Sequence, residues 1–119
     1  MQEQRISVRT SLLGVNARVS KDGREWFDIK AKDISDGGMS FTATAVFSKG
    51  AKLTLEGEAS DVSKRMDISC EVEVVFNSPV SDGKFLYGVK FIDLSHAHKI
   101  ELSIFVELMI KKYPDLLFE

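Results

Sequence analysis

Trp26-Phe27-Asp28-Ile29-Lys30-Ala31, then Asp33-Ile34-Ser35-Asp36-Gly37-Gly38, then Met39-Ser40-Phe41-Thr42-Ala43 read in order as a strand, a turn and a returning strand. Apolar and polar residues alternate with period two on either side of the turn, which is the pattern of a half-buried strand. Between them, Asp and Ser side chains fold back on their own backbone and Gly tolerates positive φ, so the chain reverses at Asp36-Gly37. Working backwards, Lys21-Asp22-Gly23-Arg24 is a second turn and Val15 to Val19 the strand before it. Working forwards, Ala51 to Glu56, Ile68 to Asn77 and Lys84 to Ile92 are further strands, with Ser81-Asp82-Gly83 closing a hairpin between the last two. The polar stretch Glu58 to Met66 reads as a loop. Six or seven antiparallel strands joined by tight turns predict a mostly β domain closed into a barrel, because closure removes exposed edges.

The end of the chain differs in kind. Ser95 is an N-cap residue, and His96 to Lys112 contains good helix formers without Gly or Pro until Tyr113-Pro114 stops the run. Ile100, Ile104, Phe105, Leu108 and Met109 form a stripe expected to cover the barrel, while Leu102, Val106 and Ile110 widen it beyond one packing face. Two readings of that surplus stay open: cover by the tail residues Leu116-Leu117-Phe118, which is favoured, or a second apolar face that binds a partner protein or another subunit in a homodimer built through the helix. The expected organisation is an N-terminal arm over 1–10, a barrel over 11–94, a helix over 95–113 and a tail over 114–119.

Composition narrows the class. A chain of 119 residues is one domain, long enough to bury roughly two-thirds of its unfolded surface. Sixteen basic against eighteen acidic residues give a net charge of −2, which argues against a general polyanion binder. The polar start Met1-Gln2-Glu3-Gln4 and the absence of a long apolar run predict neither signal peptide nor membrane insertion, hence a cytoplasmic location. Cys70 is the single cysteine and sits in an alternating stretch as a half-buried strand thiol. His96 and His98 are two apart, a spacing that does not bring both to one helical face, so no metal site is expected. No nucleophile has a matched base, and no P-loop or dinucleotide fingerprint is present, so the chain does not read as an enzyme.

Two polar signatures carry chemistry. Arg5 and Arg9 stand four apart before the first strand, and Asp33, Ser35 and Gly38 are spaced D-x-S-x-x-G about two strand lengths later. In this order, with the flanking Gly38-Met39-Ser40-Phe41 strand and Tyr87-Gly88-Val89-Lys90-Phe91-Ile92-Asp93-Leu94-Ser95 near the end, the chain resembles the PilZ family. The resemblance spans roughly residues 4 to 106 and implies a PilZ-type barrel that binds cyclic di-GMP, a bacterial second messenger. A forked guanidinium matches the O6/N7 edge of guanine and also the phosphodiester charge. Lysine lacks that planar fork. An ionised Asp33 accepts from guanine N–H groups, Ser35 donates to a phosphate or a base, and Gly38 removes a Cβ where backbone and ligand approach. Gln4 and Gly37 are additional candidate contacts. The family resemblance implies an arm around Arg5 and Arg9 that clamps over the barrel when the ligand arrives, altering contacts with an effector protein in motility, adhesion or biofilm control.

Ligand number follows from a departure. An arginine directly before the first motif arginine accompanies binding of a ligand dimer in the family, and here that position is Gln4, so one ligand per site is expected. An alternative class is a PilZ-like adaptor that signals by protein contact and binds no nucleotide. An oligonucleotide-binding barrel ranks third, since it needs exposed aromatics interleaved with cations, whereas the aromatics here mostly fall at strand and helix core positions.

Overall fold

The computed structural model describes residues 7–9, 14–113 and 117–118. The elements are β1 (Ser7–Arg9), β2 (Gly14–Ser20), β3 (Trp26–Ile34), β4 (Gly38–Ala43), β5 (Lys52–Ser60), β6 (Arg65–Ser81), β7 (Lys84–Phe91), α1 (His96–Lys112) and β8 (Leu117–Phe118). Six antiparallel strands form a closed barrel in the order β2-β5-β6-β7-β4-β3, and β2 pairing with β3 completes the ring. This is the barrel with one C-terminal helix that the alternation and turns predict.

The strand β3 pairs with β4 along one edge and serves two partners along the other. Its first half, Trp26 to Ile29, pairs with β2, and its last two residues, Asp33 and Ile34, pair with β1. On its other edge, β1 pairs with β8. Neither short strand is visible in the alternation, since two or three residues are too few to show a period.

Inward positions of successive strands supply the core. Val19, Phe41, Leu53, Leu55, Val72, Val74 and Tyr87 are all buried, each contributing about 1.5–3 kcal/mol if fully removed from water. Tyr87 is the polar exception. Its hydroxyl donates to Ala45 O at 2.7 Å and accepts from Phe47 N at 3.0 Å, so one phenol ties the segment after β4 to the barrel. Phe41, Phe47 and Phe85 pack around its ring with centroids 5.4–6.2 Å away. Tyr87→Phe leaves a buried N–H and a carbonyl without that partner and is expected to cost about 1–3 kcal/mol in denaturant unfolding. An unchanged midpoint would show that water replaces the phenol.

Two sequence expectations need correction. Glu58 to Met66 is not a loop: β5 continues to Ser60 and β6 begins at Arg65, paired Ser60 to Arg65. Only the tight turn between them is irregular, closed by Asp61 N donating to Lys64 O at 2.9 Å and by Asp61 Oδ1 accepting from Ser63 N and Lys64 N. Polar residues persist in these strand ends because one face of the sheet is solvated.

The second correction concerns α1. Its buried residues are Leu102, Phe105, Val106 and Met109, whereas Ile100, Ile104 and Leu108 are nearly half exposed. The helix carries two stripes at three- and four-residue spacing, and the one holding the aromatic ring docks on the barrel. Ser95 caps the start, with its Oγ accepting from His98 N at 3.2 Å. At the other end Lys112 Nζ and Tyr113 OH both donate to Asp61 Oδ2, at 2.7 and 3.1 Å. The Lys112 ammonium, then the Ser63 amide, hold the Asp61 carboxyl well below the usual range. This contact pins the last turn of the helix to the β5–β6 hairpin. The tail side chains, and residues 1–6 and 10–13, lie outside the described residues.

Candidate functional site

The turn between β3 and β4 is built from its own hydrogen bonds. Ser35 N donates to Gly38 O at 2.9 Å, Ser35 Oγ donates to the same oxygen at 3.2 Å, and Gly37 N donates back to Ser35 Oγ at 3.3 Å. Ser35 is 2% exposed, so its hydroxyl holds the turn and is not displayed to solvent. The carbonyl of Gly37 accepts from Phe91 N at 3.0 Å and anchors the turn to the end of β7. Gly38 has no positive φ. It is required because a Cβ there would lie 2.1 Å from Val89 O, so its bareness lets β4 approach the backbone of β7.

Asp33 stands just before this turn. Counting outward from Asp36-Gly37 pairs Ile34 with Met39 and Asp33 with Ser40, and that is the observed register. Ser40 Oγ donates to Asp33 Oδ2 at 2.7 Å, which orients the carboxylate and leaves Oδ1 available. A bulge between Ala31 and Asp33 resets the alternation, so Asp33 lies on the outer face while Ala31 and Ile34 point inward.

Arg9 is the Cα partner of Asp33 across the β1–β3 ladder. The two signatures, separated by more than twenty residues in sequence, therefore meet at one register position of the backbone. Arg5 and Gln4 lie outside the described residues, as does the Arg9 side chain.

The register carries this row further. Asp33 pairs with Ser40, Ser40 with Gly88 and Gly88 with Phe76, so four adjacent strands contribute to one line across the outer surface. Two residues further along β7, beyond the inward-facing Val89, Lys90 pairs with Gly38 and stands half exposed, 4.0 Å from Glu73. Sequence reading singles out none of Ser40, Gly88, Phe76 and Lys90 as site residues. The hairpin count around Asp36-Gly37 was the available signal for Ser40. No local signal places the other three beside the turn.

Other features carry different charge or none. A groove of 350 Å³ on β2, β3, β5 and β6 is lined by Asp28, Glu56, Glu58 and Asp67 against the single cation Arg18, which is itself paired with Glu56 at 3.0 Å. Arg65 pairs with Glu58 and Asp67, so four carboxylates face two guanidinium groups and the wall stays net acidic, which disfavours a phosphodiester. Burial, then the nearby Asp93, pushes the Cys70 thiol up to about 11, which leaves it protonated and unreactive at neutral pH. Among the described residues no cluster of three or more His, Cys, Asp or Glu is placed to hold a metal ion, and no helix is long and apolar enough to cross a membrane.

Known proteins share this architecture. The barrel superposes on the inhibitor of motility MotI/DgrA of Bacillus subtilis with a TM-score of 0.73 at 19% identity, covering 95% of this chain and 53% of that one. It superposes on the PilZ domain of Escherichia coli YcgR with c-di-GMP at 0.69 and 11% identity, covering 96% of each chain. For the MrkH–c-di-GMP complex of K. pneumonia the values are 0.69 and 16%, covering 96% of this chain and 55% of that one. The chain thus spans about half the length of MotI/DgrA and of MrkH. A sequence search of curated proteins finds no match. The PilZ domain profile matches residues 2–108, nearly the whole length, and with the barrel and turn described above this establishes the chain as a member of the PilZ domain family.

Proposed function

We propose that this protein is a cyclic di-GMP receptor, with no catalytic step, that binds the nucleotide on the outer barrel face where β1 joins the β3–β4 turn. The observation that supports the reading most strongly is the pairing of Arg9 with Asp33, which joins the arginine signature to the D-x-S-x-x-G turn through a backbone ladder. In this reading Arg5 and Arg9 grip guanine edges and phosphate, and the free oxygen of Asp33 accepts from a guanine N–H. Ser35 and Gly38 hold the turn that aims Asp33, with Gln4 and Gly37 at the margin of the site. YcgR and MrkH, whose solved structures contain c-di-GMP, have the same fold, which is consistent with this assignment and does not carry it.

Charge-assisted hydrogen bonds to the ligand offset the entropy of fixing the arginine side chains on it. The liganded face then presents a changed surface to an effector protein in the cytoplasm. The test is a calorimetric titration with cyclic di-GMP, using GTP and cyclic GMP as controls. Saturable binding of cyclic di-GMP alone, with one ligand per chain, is the expected outcome. No heat at high micromolar ligand would leave the adaptor reading in its place.

A further inference from the structure

We infer that Asp61, in the turn of the β5–β6 hairpin, is a positioning residue for the nucleotide site: through the end of α1 and β8 it fixes where β1 carries Arg9. This inference rests on the receptor reading above.

The strand that bears Arg9 does not hold its own place. β1 is three residues long and registers with β3 only at Val8 with Ile34 and Arg9 with Asp33. A ladder that short is marginal by itself in water. Its other edge is held by β8, again through two register pairs, Ser7 with Phe118 and Val8 with Leu117. The six-strand ring closes through β2 and β3 without either of these short strands. The placement of β1 therefore depends on what anchors the chain after β1 and before β8, and both anchors lie on one hairpin.

Five residues after Arg9, Gly14 at the start of β2 pairs with Ser60, the neighbour of Asp61. Four and five residues before Leu117, Tyr113 OH and Lys112 Nζ donate to Asp61 Oδ2 at 3.1 and 2.7 Å. Asp61 Oδ1 accepts from Ser63 N, Ser63 Oγ and Lys64 N at 3.0, 3.2 and 2.9 Å, so the carboxylate is locked to the turn on one side and to the helix on the other. Its side chain is 1% exposed, although Val62 beside it is 96% exposed. Desolvating a carboxylate costs free energy that its partners offset, so a buried pair of this kind contributes little net stability and much geometric definition. Definition is what a two-pair ladder lacks. With this latch closed, α1 ends at a fixed point and delivers β8 to the edge of β1. With it open, the arrangement that sets Arg9 opposite Asp33 is only partly populated, and apparent affinity falls by that fraction.

The test is cyclic di-GMP calorimetry on the full chain with wild type, Asp61→Asn and Lys112→Met, each first checked by thermal melting. Asparagine keeps a side-chain oxygen for the turn amides but gives Lys112 no anion, and methionine keeps the apolar stem while removing the ammonium. Both variants are expected to bind about three- to tenfold more weakly. Their charge changes are opposite, so a simple field effect on a dianionic ligand would move the two affinities in opposite directions. The double variant should bind no more weakly than the weaker single one, because both substitutions open the same contact. Amide exchange at Ser7–Arg9 and Leu117–Phe118 should quicken in both variants while β5 and β6 stay protected, a readout that a role confined to the hairpin would not move. If Asp61→Asn fails to fold, Lys112→Met, whose side chain is 38% exposed, supplies the same measurements. Wild-type binding together with unchanged affinity in Lys112→Met, shifts of opposite sign in the two variants, or unaltered exchange in β1 and β8 overturns the positioning role alone. Absence of binding by the wild type overturns the receptor reading, and this inference with it.

Discussion

Arg9→Ala is expected to weaken cyclic di-GMP binding at least tenfold, and toward a hundredfold, while the barrel melts as before. A hydrogen bond to a charged group contributes about 1.5–3 kcal/mol, and a bidentate guanidinium makes two. The fold should tolerate the change because β1 is held by backbone pairing with β3 and β8, which alanine retains. Arg9→Lys should recover little of the loss, since a point charge restores attraction to phosphate but not the fork that reads guanine. Arg65→Ala is the matched control: its guanidinium is engaged by Glu58 and Asp67 at the β5–β6 turn and should leave affinity unchanged. Arg5→Ala and Asp33→Ala should each cost at least tenfold on the same grounds. Calorimetry in which Arg9→Ala binds like wild type would remove the pairing of β1 with Asp33 from the recognition mechanism.

Gly38→Ala should act on stability instead. Its Cβ would meet Val89 O at 2.1 Å and the neighbouring backbone of Val89 and Lys90 at 3.1 Å. These obstacles are main-chain atoms in a ladder, so relief requires β4 and β7 to separate rather than a side chain to swing away. Overpacking typically costs about 1–3 kcal/mol, and with rigid neighbours the expected loss is about 3 kcal/mol or more. For a domain of this size that lowers the melting midpoint by about 10–20 °C. A midpoint within about 2 °C of wild type would mean that the strands separate freely. The consequence for the site is practical: impaired binding by Gly38→Ala includes the displacement of the turn, so it does not by itself measure a contact between Gly38 and ligand.

Ser35 belongs with Gly38 in that respect. As a sequence motif, D-x-S-x-x-G looks like one ligand-binding unit. In the fold its members divide, with Asp33 half-buried on the outer face, Ser35 buried in the turn's hydrogen bonds and Gly38 fitted to β7. A linear spacing records which residues cooperate, but not which of them touch the ligand. Exposure and hydrogen-bond partners show which of them the turn itself engages.

The helix shows a similar division. Its boundaries and cap were legible, because Ser95 and Pro114 are local signals. Which stripe faces the barrel was not, because the helix is apolar on several sides and its docking angle depends on the opposing strands. The sequence ranks Ile100, Ile104 and Leu108 with Phe105 and Met109, yet only the latter two are buried.

Alternation and turn chemistry, read from sequence, determined that the chain is an antiparallel barrel capped by a helix, and the paired signatures determined its family. These are local properties, set by period, propensity and the residue types a turn accepts. Only the tertiary structure decided that Arg9 lies opposite Asp33, that residues 58–60 remain in strand, and that Phe76 faces outward. Register between strands distant in sequence, and the single-residue bulge that inverts every position after it, arise from the closing of the ring and from hydrogen bonds between partners that no local pattern encodes.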